Sequence, residues 1–387
     1  PSRRNFLAGT AALAGVAAAC KATVGTGALP LPLARSRPPV APDEAIRLAI
    51  IGTGGMGNGH LGGLLKAREN GAQKLDVVAL CDVCKPRLDG AVKRATEKQG
   101  FAVDAYRDYR ELLARDDLHA VLIASPEHWH AKMAEDAIAA GLDVYLEKPM
   151  TLRLKDALRL KKVVEASDRR LQVGTQYMMV PKYREAQNLI AEGAIGKPTL
   201  SQTSYCRNSR DGEWLYGIDE QVEPGEMLDW EAWCGPLGPR DWDTEIYHRW
   251  RRYRDFSTGI VGDLLVHQMT PLMMALDAGW PVRVTAAGGH YVDKEMENHD
   301  QVFLTVEFEK EHTMVVAGST CNENGLEIMV RGHQANLHLG GNNCVLRPER
   351  VFVDDVDERT IECPAGDSQD HVRQNWLERI RSRTEVG

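Results

Sequence analysis

An α/β fold, opening on a parallel sheet with helices on both faces, is what this sequence predicts, and three observations carry the prediction. A nearly continuous apolar run over residues 46–51 leads straight into Gly52-Thr53-Gly54-Gly55-Met56-Gly57 and then into a helix-compatible stretch bearing Leu61, Leu64 and Leu65. Apolar runs of strand length recur after it, separated by segments of helical length, as a doubly covered parallel sheet requires. At 387 residues the chain is also long for one domain and comfortable for two.

The first strand meets the glycine loop in the context that a dinucleotide fingerprint needs, between a strand and a helix. Gly52 permits the tight turn, Gly54 lets the backbone approach a pyrophosphate, and Gly57 lets helix and strand pack closely. The phosphates then meet the positive end of the helix and its free N–H groups. A second strand over 77–81 ends at Asp82, whose carboxylate can accept both hydroxyls of the adenosine ribose; its plainer role is a helix cap ahead of Pro86. A 2′-phosphate would be repelled there, so NAD is expected over NADP, a preference softened by Lys85 and Arg87 nearby. Residues 108–115 are helix-like, 120–124 a strand, 126–140 a helix, 144–146 a strand, 152–166 an amphipathic helix and 171–173 a further strand. Ligands of such sheets bind beyond the carboxyl ends of the strands, which places Ser125, Glu147 and Lys148 at the crevice.

Charge and composition narrow the class. Forty-seven Lys and Arg stand against 55 Asp and Glu, a net of −8. That balance argues against nucleic acid as a partner, since binding its backbone needs a clustered positive field. The 43% hydrophobic and 26% charged composition is globular, and no uncharged apolar run reaches the roughly 18 residues of a membrane-spanning helix. Eight cysteines are too sparse for a disulfide scaffold, and Cys81-x-x-Cys84 has no second pair at zinc-ribbon spacing, so no metal site is expected.

The N-terminal segment reads differently. Ser2-Arg3-Arg4-Asn5-Phe6-Leu7 precedes an uncharged Ala/Gly/Leu stretch, the pattern of a twin-arginine export signal; a short buried helix with a chance Arg-Arg pair is the alternative. Ala17-Ala18-Ala19-Cys20 fits either a lipoprotein cleavage site, which would leave a lipid anchor on Cys20, or ordinary cleavage near an A-x-A. The chain opens at Pro1 rather than Met, so an earlier start is expected. Residues 21–45, with Pro30, Pro32, Pro38, Pro39 and Pro42, read as an extended linker. The expected organisation is a signal and linker over 1–45, a Rossmann dinucleotide-binding domain over 46–171 and a second domain over 172–387.

From Ile46 almost to its end the chain resembles the glucose–fructose oxidoreductase / inositol dehydrogenase (Gfo/Idh/MocA) family. The markers are the glycine loop with Asp82, Ala124-Ser125-Pro126-Glu127-His128-Trp129-His130, Glu147-Lys148-Pro149, the run EGAIGKP over 192–198, and Asp263 with His267. The resemblance implies a Rossmann domain followed by an α/β domain on an open, mainly antiparallel sheet. Residues 172–387 suit that: 200–205, 302–308, 313–317, 326–330 and 336–339 are strand-like, 262–278 is the main helical stretch and 372–380 a final one. The resemblance further implies Met56, Pro126, His128 and Gln176 at the cofactor, Tyr177 at the substrate, and a homo-oligomer formed through the open sheet. The chain stops at Gly387, shorter than is usual in the family, and a C-terminal truncation is expected.

The same resemblance puts Lys148 against the nicotinamide ribose and the reacting hydroxyl, where a positive charge stabilises the alkoxide that develops as hydride leaves. Pro149 disfavours helical geometry at Lys148, and from sequence alone a solvated surface lysine fits as well. Asp263 and His267, four apart at the start of a helix, share one face. The histidine then takes the hydroxyl proton while the carboxylate orients the ring and favours its charged form. Without the resemblance, the pair reads as an N-cap and a buried histidine. Thr270 stands where close members often carry an aspartate, and Ile260-Val261-Gly262 has fewer glycines than expected; both departures bear on the substrate pocket. Arg249 suits sugar hydroxyls or a carboxylate and Trp250 a pyranose face, unless they belong to an aromatic packing loop. Trp214, Trp230, Trp233 and Trp242 fit a carbohydrate-facing loop and equally a loop with a small core of its own.

The expected function is NAD(P)-dependent hydride transfer from a hydroxyl of a sugar or cyclic polyol. Export to the periplasm would separate the enzyme from the cytoplasmic NADH pool, so NAD is expected to travel out with the folded protein and stay bound between turnovers. Two alternatives share the fold: an NAD-assisted, redox-neutral glycoside hydrolase or lyase, and an inactive sugar-binding protein.

Overall fold

Burial of the apolar runs builds two sheets in sequence. The computed structural model describes residues 35, 37–41, 43–365 and 368–384; the twin-arginine motif and Cys20 lie outside the described residues. The first sheet holds β1 (Ile46–Ile51), β2 (Leu75–Cys81), β3 (Asp104–Tyr106), β4 (Ala120–Ile123), β5 (Asp143–Leu146) and β6 (Leu171–Val173), in the spatial order 3-2-1-4-5-6 and parallel throughout. Its helices are α1 (Gly55–Glu69), α2 (Lys85–Gln99), α3 (Tyr109–Leu113), α4 (Glu127–Ala139) and α5 (Leu154–Glu165). β1, β4 and β5 are almost wholly buried, as strands covered on both faces must be.

Two elements of this lobe escape the sequence reading. β3 is a three-residue edge strand with no apolar run. α2 is strongly polar, and it buries only Leu88, Ala91, Ala95 and Gln99, so its apolar stripe is mostly alanine.

After α6 (Pro181–Ala191) comes the second sheet: β7 (Pro198–Cys206), β8 (Pro281–Gly289), β9 (Gln301–Phe308), β10 (His312–Ser319), β11 (Met329–Gly332), β12 (Ala335–His338), β13 (Cys344–Pro348) and β14 (Arg359–Ile361). The order is 14-13-12-11-7-10-9-8, antiparallel except where β7 meets β10. Before β8 the chain makes two short helices, α7 (Trp230–Cys234) and α8 (Thr244–Arg249), a π-helical turn over Val261–Leu265, and α9 (Val266–Leu276). α6 and α9 bury Tyr183, Leu189, Leu272 and Leu276 against the inward residues Leu304, Val306, Met314 and Val316 of the sheet. β8 went unread because it is an edge strand with no buried face: Val282 and Val284 are both exposed.

The tryptophan-rich loop has a core of its own. Trp230 and Trp233 stack at 4.9 Å and pack with Tyr247, Phe256, Leu228 and Cys84. Packing, rather than display toward a sugar, accounts for most of that cluster.

The last helix, α10 (Ser368–Ser382), returns to the first sheet. Its Val372, Trp376, Leu377 and Ile380 share one core with Ile46, Leu48, Leu61 and Leu64. Residues 368–382, inside the span read from sequence as the second domain, thus close the first lobe; an amphipathic pattern shows that a face is buried but not against what. Residues Leu33–Gly387 form one compact unit. Removing the fully buried Trp376 by Trp376→Ala is expected to lower the unfolding free energy by about 3–5 kcal/mol in urea titrations. Trp280→Ala, at a side chain 64% exposed, is expected to change it by less than about 0.5 kcal/mol.

Candidate active site

The carboxyl ends of the first sheet open into a cleft of about 820 Å³, closed on its far side by residues of the second lobe. The glycine loop forms its floor. Gly52 has φ +87°, and a Cβ there would lie 2.7 Å from the Ala124 backbone; a Cβ on Gly57 would sit 1.8 Å from the Gly52 carbonyl oxygen. Only glycine lets the turn and the helix start coexist. Gly54, by contrast, faces open space, with Arg87 Nη1 at 3.7 Å as its nearest neighbour. α1 starts there with no side-chain cap and no acidic residue in its first turn, so its N–H groups are free for an anion. Asp82 ends β2 on the cleft wall: Oδ2 accepts from Thr53 N–H at 2.7 Å and Thr53 Oγ1 at 3.0 Å, and Oδ1 from Cys84 N–H at 2.8 Å. Ser125 Oγ is buried in the wall without a partner among the described residues. A crowded turn, an uncapped helix end, a fixed carboxylate and an orphan hydroxyl together fit a dinucleotide.

At the end of β5, Lys148 reaches across to the second lobe. Its ammonium donates to the Asp263 carbonyl at 2.8 Å and to Asp263 Oδ1 at 2.9 Å. Arg251 Nε donates to the same Oδ1 at 3.2 Å. Burial alone would raise the Asp263 carboxyl, but the charges of Lys148 and Arg251 outweigh it and hold it down at about 2. His267 stands one turn on and lines the same cleft. Burial first, and the Lys148 charge second, push its pKa down to about 4, so the ring is neutral at physiological pH. Among the described residues no protein group bonds its ring nitrogens, Nδ1 being buried and unpartnered. The rings of Tyr177 and Tyr205 lie 5.1 and 6.4 Å from it.

Two buried supports hold this cluster. Glu147 Oε1 accepts from His60 Nε2 at 2.8 Å, while Oε2 accepts the Lys148 backbone N–H at 3.1 Å. Arg373 of α10 donates to His60 Nδ1 at 3.2 Å and pairs with Asp370, which leaves His60 Nε2 as the donor to Glu147. Gly63 makes the room, since a Cβ there would lie 2.4 Å from the Arg373 guanidinium. The other support is Glu127 of α4, whose carboxylate accepts from Ser257 Oγ, Thr258 N–H and Thr258 Oγ1, each at 2.8 Å, and ties the lobes together just ahead of Asp263. Gly262 is part of that tie, because a Cβ there would lie 1.7 Å from Thr258 Oγ1.

Comparison with known proteins agrees with this architecture. Residues 46–175 match the sequence model of an oxidoreductase family with an NAD-binding Rossmann fold, Gfo/Idh/MocA, and residues 225–338 match the C-terminal domain of the same family. The chain belongs to the Gfo/Idh/MocA family. It is 27% identical over 176 residues to the inositol 2-dehydrogenase/D-chiro-inositol 3-dehydrogenase of Lactiplantibacillus plantarum, covering 45% of this chain and 48% of that one. It is 34% identical over 170 residues to the inositol 2-dehydrogenase of Pseudomonas savastanoi pv. phaseolicola, covering 44% and 48%. The chain thus spans about half the length of the curated relatives it matches. Levoglucosan dehydrogenase, solved with NADH, shares the fold at a TM-score of 0.66 and 17% identity, over 89% of this chain and 92% of that one.

Within this Gfo/Idh/MocA fold the structure brings Gly52, Gly54, Met56, Asp82, Ser125, Pro126, Glu147, Lys148, Trp250, Asp263 and His267 to the cleft wall, with Gly57 packed beneath. Four expected residues do not line it. His128 is buried beside Trp233 and Phe256 and bonds the Trp233 carbonyl at 2.8 Å. Arg249 is held by the Tyr216 carbonyl and Glu245. Gln176 lies off the wall, and Tyr177 stands behind His267. The neighbouring Arg251 takes the place expected of Arg249; the sequence held both, and only the turn over Trp250–Arg252 decides which one faces inward. Asp263 does not orient His267: it lies in the π-turn and is taken by Lys148 and Arg251; its charge still favours the charged ring, but burial and the Lys148 charge outweigh it and drive His267 toward its neutral form. Thr270 is off the wall, its hydroxyl donating to the Val266 carbonyl at 2.7 Å. Lys85 pairs with Asp89 outside the cleft, leaving Arg87 as the nearer cation.

Two measurements check this geometry. The His267 ring resonances are expected to stay those of neutral imidazole from pH 7.5 down to about 5 and to titrate near 4. Since this folded-state pKa lies below the ordinary value, the stability it contributes is full above about pH 6.5 and is lost as the pH falls toward 4. Glu127→Ala leaves the buried Ser257 hydroxyl and two half-buried donors of Thr258 without their acceptor and is expected to cost about 1–3 kcal/mol, read as a lower thermal midpoint.

Proposed function

We propose that this protein oxidises a hydroxyl of a sugar or cyclic polyol, with NAD held against the glycine loop and Asp82. The observation that carries the reading is the convergence of Lys148, Asp263 and His267 at the carboxyl edge of the NAD-binding sheet. In the balanced reaction, the carbinol C–H pair leaves as hydride, the O–H proton goes to the protein, and a carbonyl remains. Bound NAD⁺ supplies the hydride acceptor. Lys148, fixed by two contacts to Asp263, meets the substrate oxygen and stabilises the negative charge that grows on it. Neutral His267, with no hydrogen-bond partner among the described residues, is free to accept the hydroxyl proton. Asp263 keeps the ammonium in place and stays ionised throughout.

The names of the relatives, inositol 2-dehydrogenases and a levoglucosan dehydrogenase, support a polyol or sugar as the substrate class. Asp82 favours NAD over NADP because its anchored carboxylate would repel a 2′-phosphate. The Arg3-Arg4 leader supports export with NAD already bound, and hence a cofactor retained between turnovers.

Denaturing the purified protein and separating what is released is expected to yield near-stoichiometric NAD; no nucleotide at all would contradict retention. Lys148→Met is expected to lower kcat by about 10²–10³ while leaving the nucleotide content and sugar binding in place. Full activity in that variant would overturn the assignment of Lys148.

A further inference from the structure

We infer that the substrate is an acidic sugar whose carboxylate is received by Arg251; this rests on the reading of the site as a sugar or polyol dehydrogenase. Arg251 is held by one edge only. Its Nε is engaged by Asp263 Oδ1, and its guanidinium lies 4.3 Å from the centre of the Trp250 ring and 6.0 Å from that of Tyr216. Among the described residues no protein acceptor takes its two terminal amino groups, and neither is sealed from the cleft that Arg251 lines. A planar guanidinium fixed at Nε, with its outer pair of N–H donors open, is a fork that matches the two oxygens of a carboxylate.

The neighbouring acids leave that fork open. One carboxylate, Asp263, serves both Lys148 and the Nε edge of Arg251. The other acids nearby are turned elsewhere: Glu147 to His60 and the Lys148 backbone, Glu127 to Ser257 and Thr258, and Glu213 to Arg207. Among the described residues no carboxylate therefore competes for the outer N–H groups of Arg251, and the partly buried, aromatic setting strengthens their pull on an anion. A hydroxyl group alone would not match the two parallel donors. A carboxylate carried by the sugar matches both and orients the ring toward Lys148 and His267.

The test titrates the NAD-loaded protein with matched pairs, D-glucose with D-glucuronate, D-galactose with D-galacturonate and D-mannose with D-mannuronate, by isothermal calorimetry. The acidic member of at least one pair is expected to bind at least about tenfold more tightly, the effect of one charge-assisted contact, and Arg251→Gln to bring that ratio below about threefold. Arg251→Lys serves as a second variant should the Gln protein fail to fold. It keeps the charge without the fork, and its ratio is expected to fall between the two. Equal binding within every pair, tighter binding of the neutral members, no binding of any member, or an acid preference that survives both variants overturns the inference. NADH formation, followed in parallel, separates this inference from the reading beneath it. Acid-selective binding with no NADH formed removes the dehydrogenase and keeps the acidic ligand, whereas NADH formed equally well from neutral sugars does the reverse.

Discussion

A single buried carboxylate, Asp263, shared between Lys148 and Arg251, is the contact on which the rest of the site depends. Lys148 comes from the lobe of the first sheet, whereas Asp263 and Arg251 come from the second lobe, so this ion cluster is also where the two lobes meet. Its low pKa keeps Asp263 ionised across any ordinary pH. The charge in turn shapes its neighbour: with burial and the Lys148 ammonium both acting against protonation, His267 is left as a neutral ring beside a fixed cation. An oxidation that must shed a proton and gather negative charge on oxygen needs that pairing of a neutral base and a permanent cation.

The cluster is held from two sides by groups that take no part in chemistry. Below it, α10 brings Arg373 to His60 and, through His60, to Glu147, so this helix, the last of the described residues, braces the residue next to Lys148. Tyr145 belongs to the same support, with Trp376 against its ring and Gln369 donating to its hydroxyl at 3.0 Å. Above it, Glu127 fastens α4 to the segment that leads into Asp263. Burial pushes the Glu127 carboxyl up to about 7 despite three donors that oppose the rise. A carboxylate so placed costs desolvation, and the three hydrogen bonds offset that cost only if the lobes stay together.

Local irregularity does the final positioning. A regular helix through residues 261–276 would stack Asp263 and His267 on one face, four apart. The π-turn over Val261–Leu265 instead breaks that spacing and delivers Asp263 to Lys148. Beyond it, Pro271 lies inside α9 and has no N–H to return to the carbonyl four residues back, that of His267. The wall that carries both functional side chains is thus helical in outline and non-standard in its hydrogen bonding, a recurrent feature of functional sites.

Much of this was readable from the amino acids because the constraints involved are local. A strand followed at once by Gly52-x-Gly54-x-x-Gly57 has few structural solutions, since Gly52 takes a positive φ and a Cβ on Gly57 would collide with the Gly52 carbonyl five positions back. The parallel sheet and the place of Asp82, Ser125, Glu147 and Lys148 at its carboxyl edge follow from strand order and from residue type, whereas the place of Asp263 and His267 beside them is implied only by the family resemblance. Other features depend on contacts between residues distant in the chain, and no short-range pattern encodes them. Arg251 rather than Arg249 faces the cleft because a single turn sets which side chain points inward. The terminal helix belongs to the first lobe because its Trp376 finds space beneath Tyr145, more than two hundred positions earlier. Glu127 and His60, ordinary in sequence, gain their roles only when partners 131 and 87 residues away are folded against them. Local sterics write themselves into short motifs; the pairing of buried charges across lobes is settled only by the packed chain.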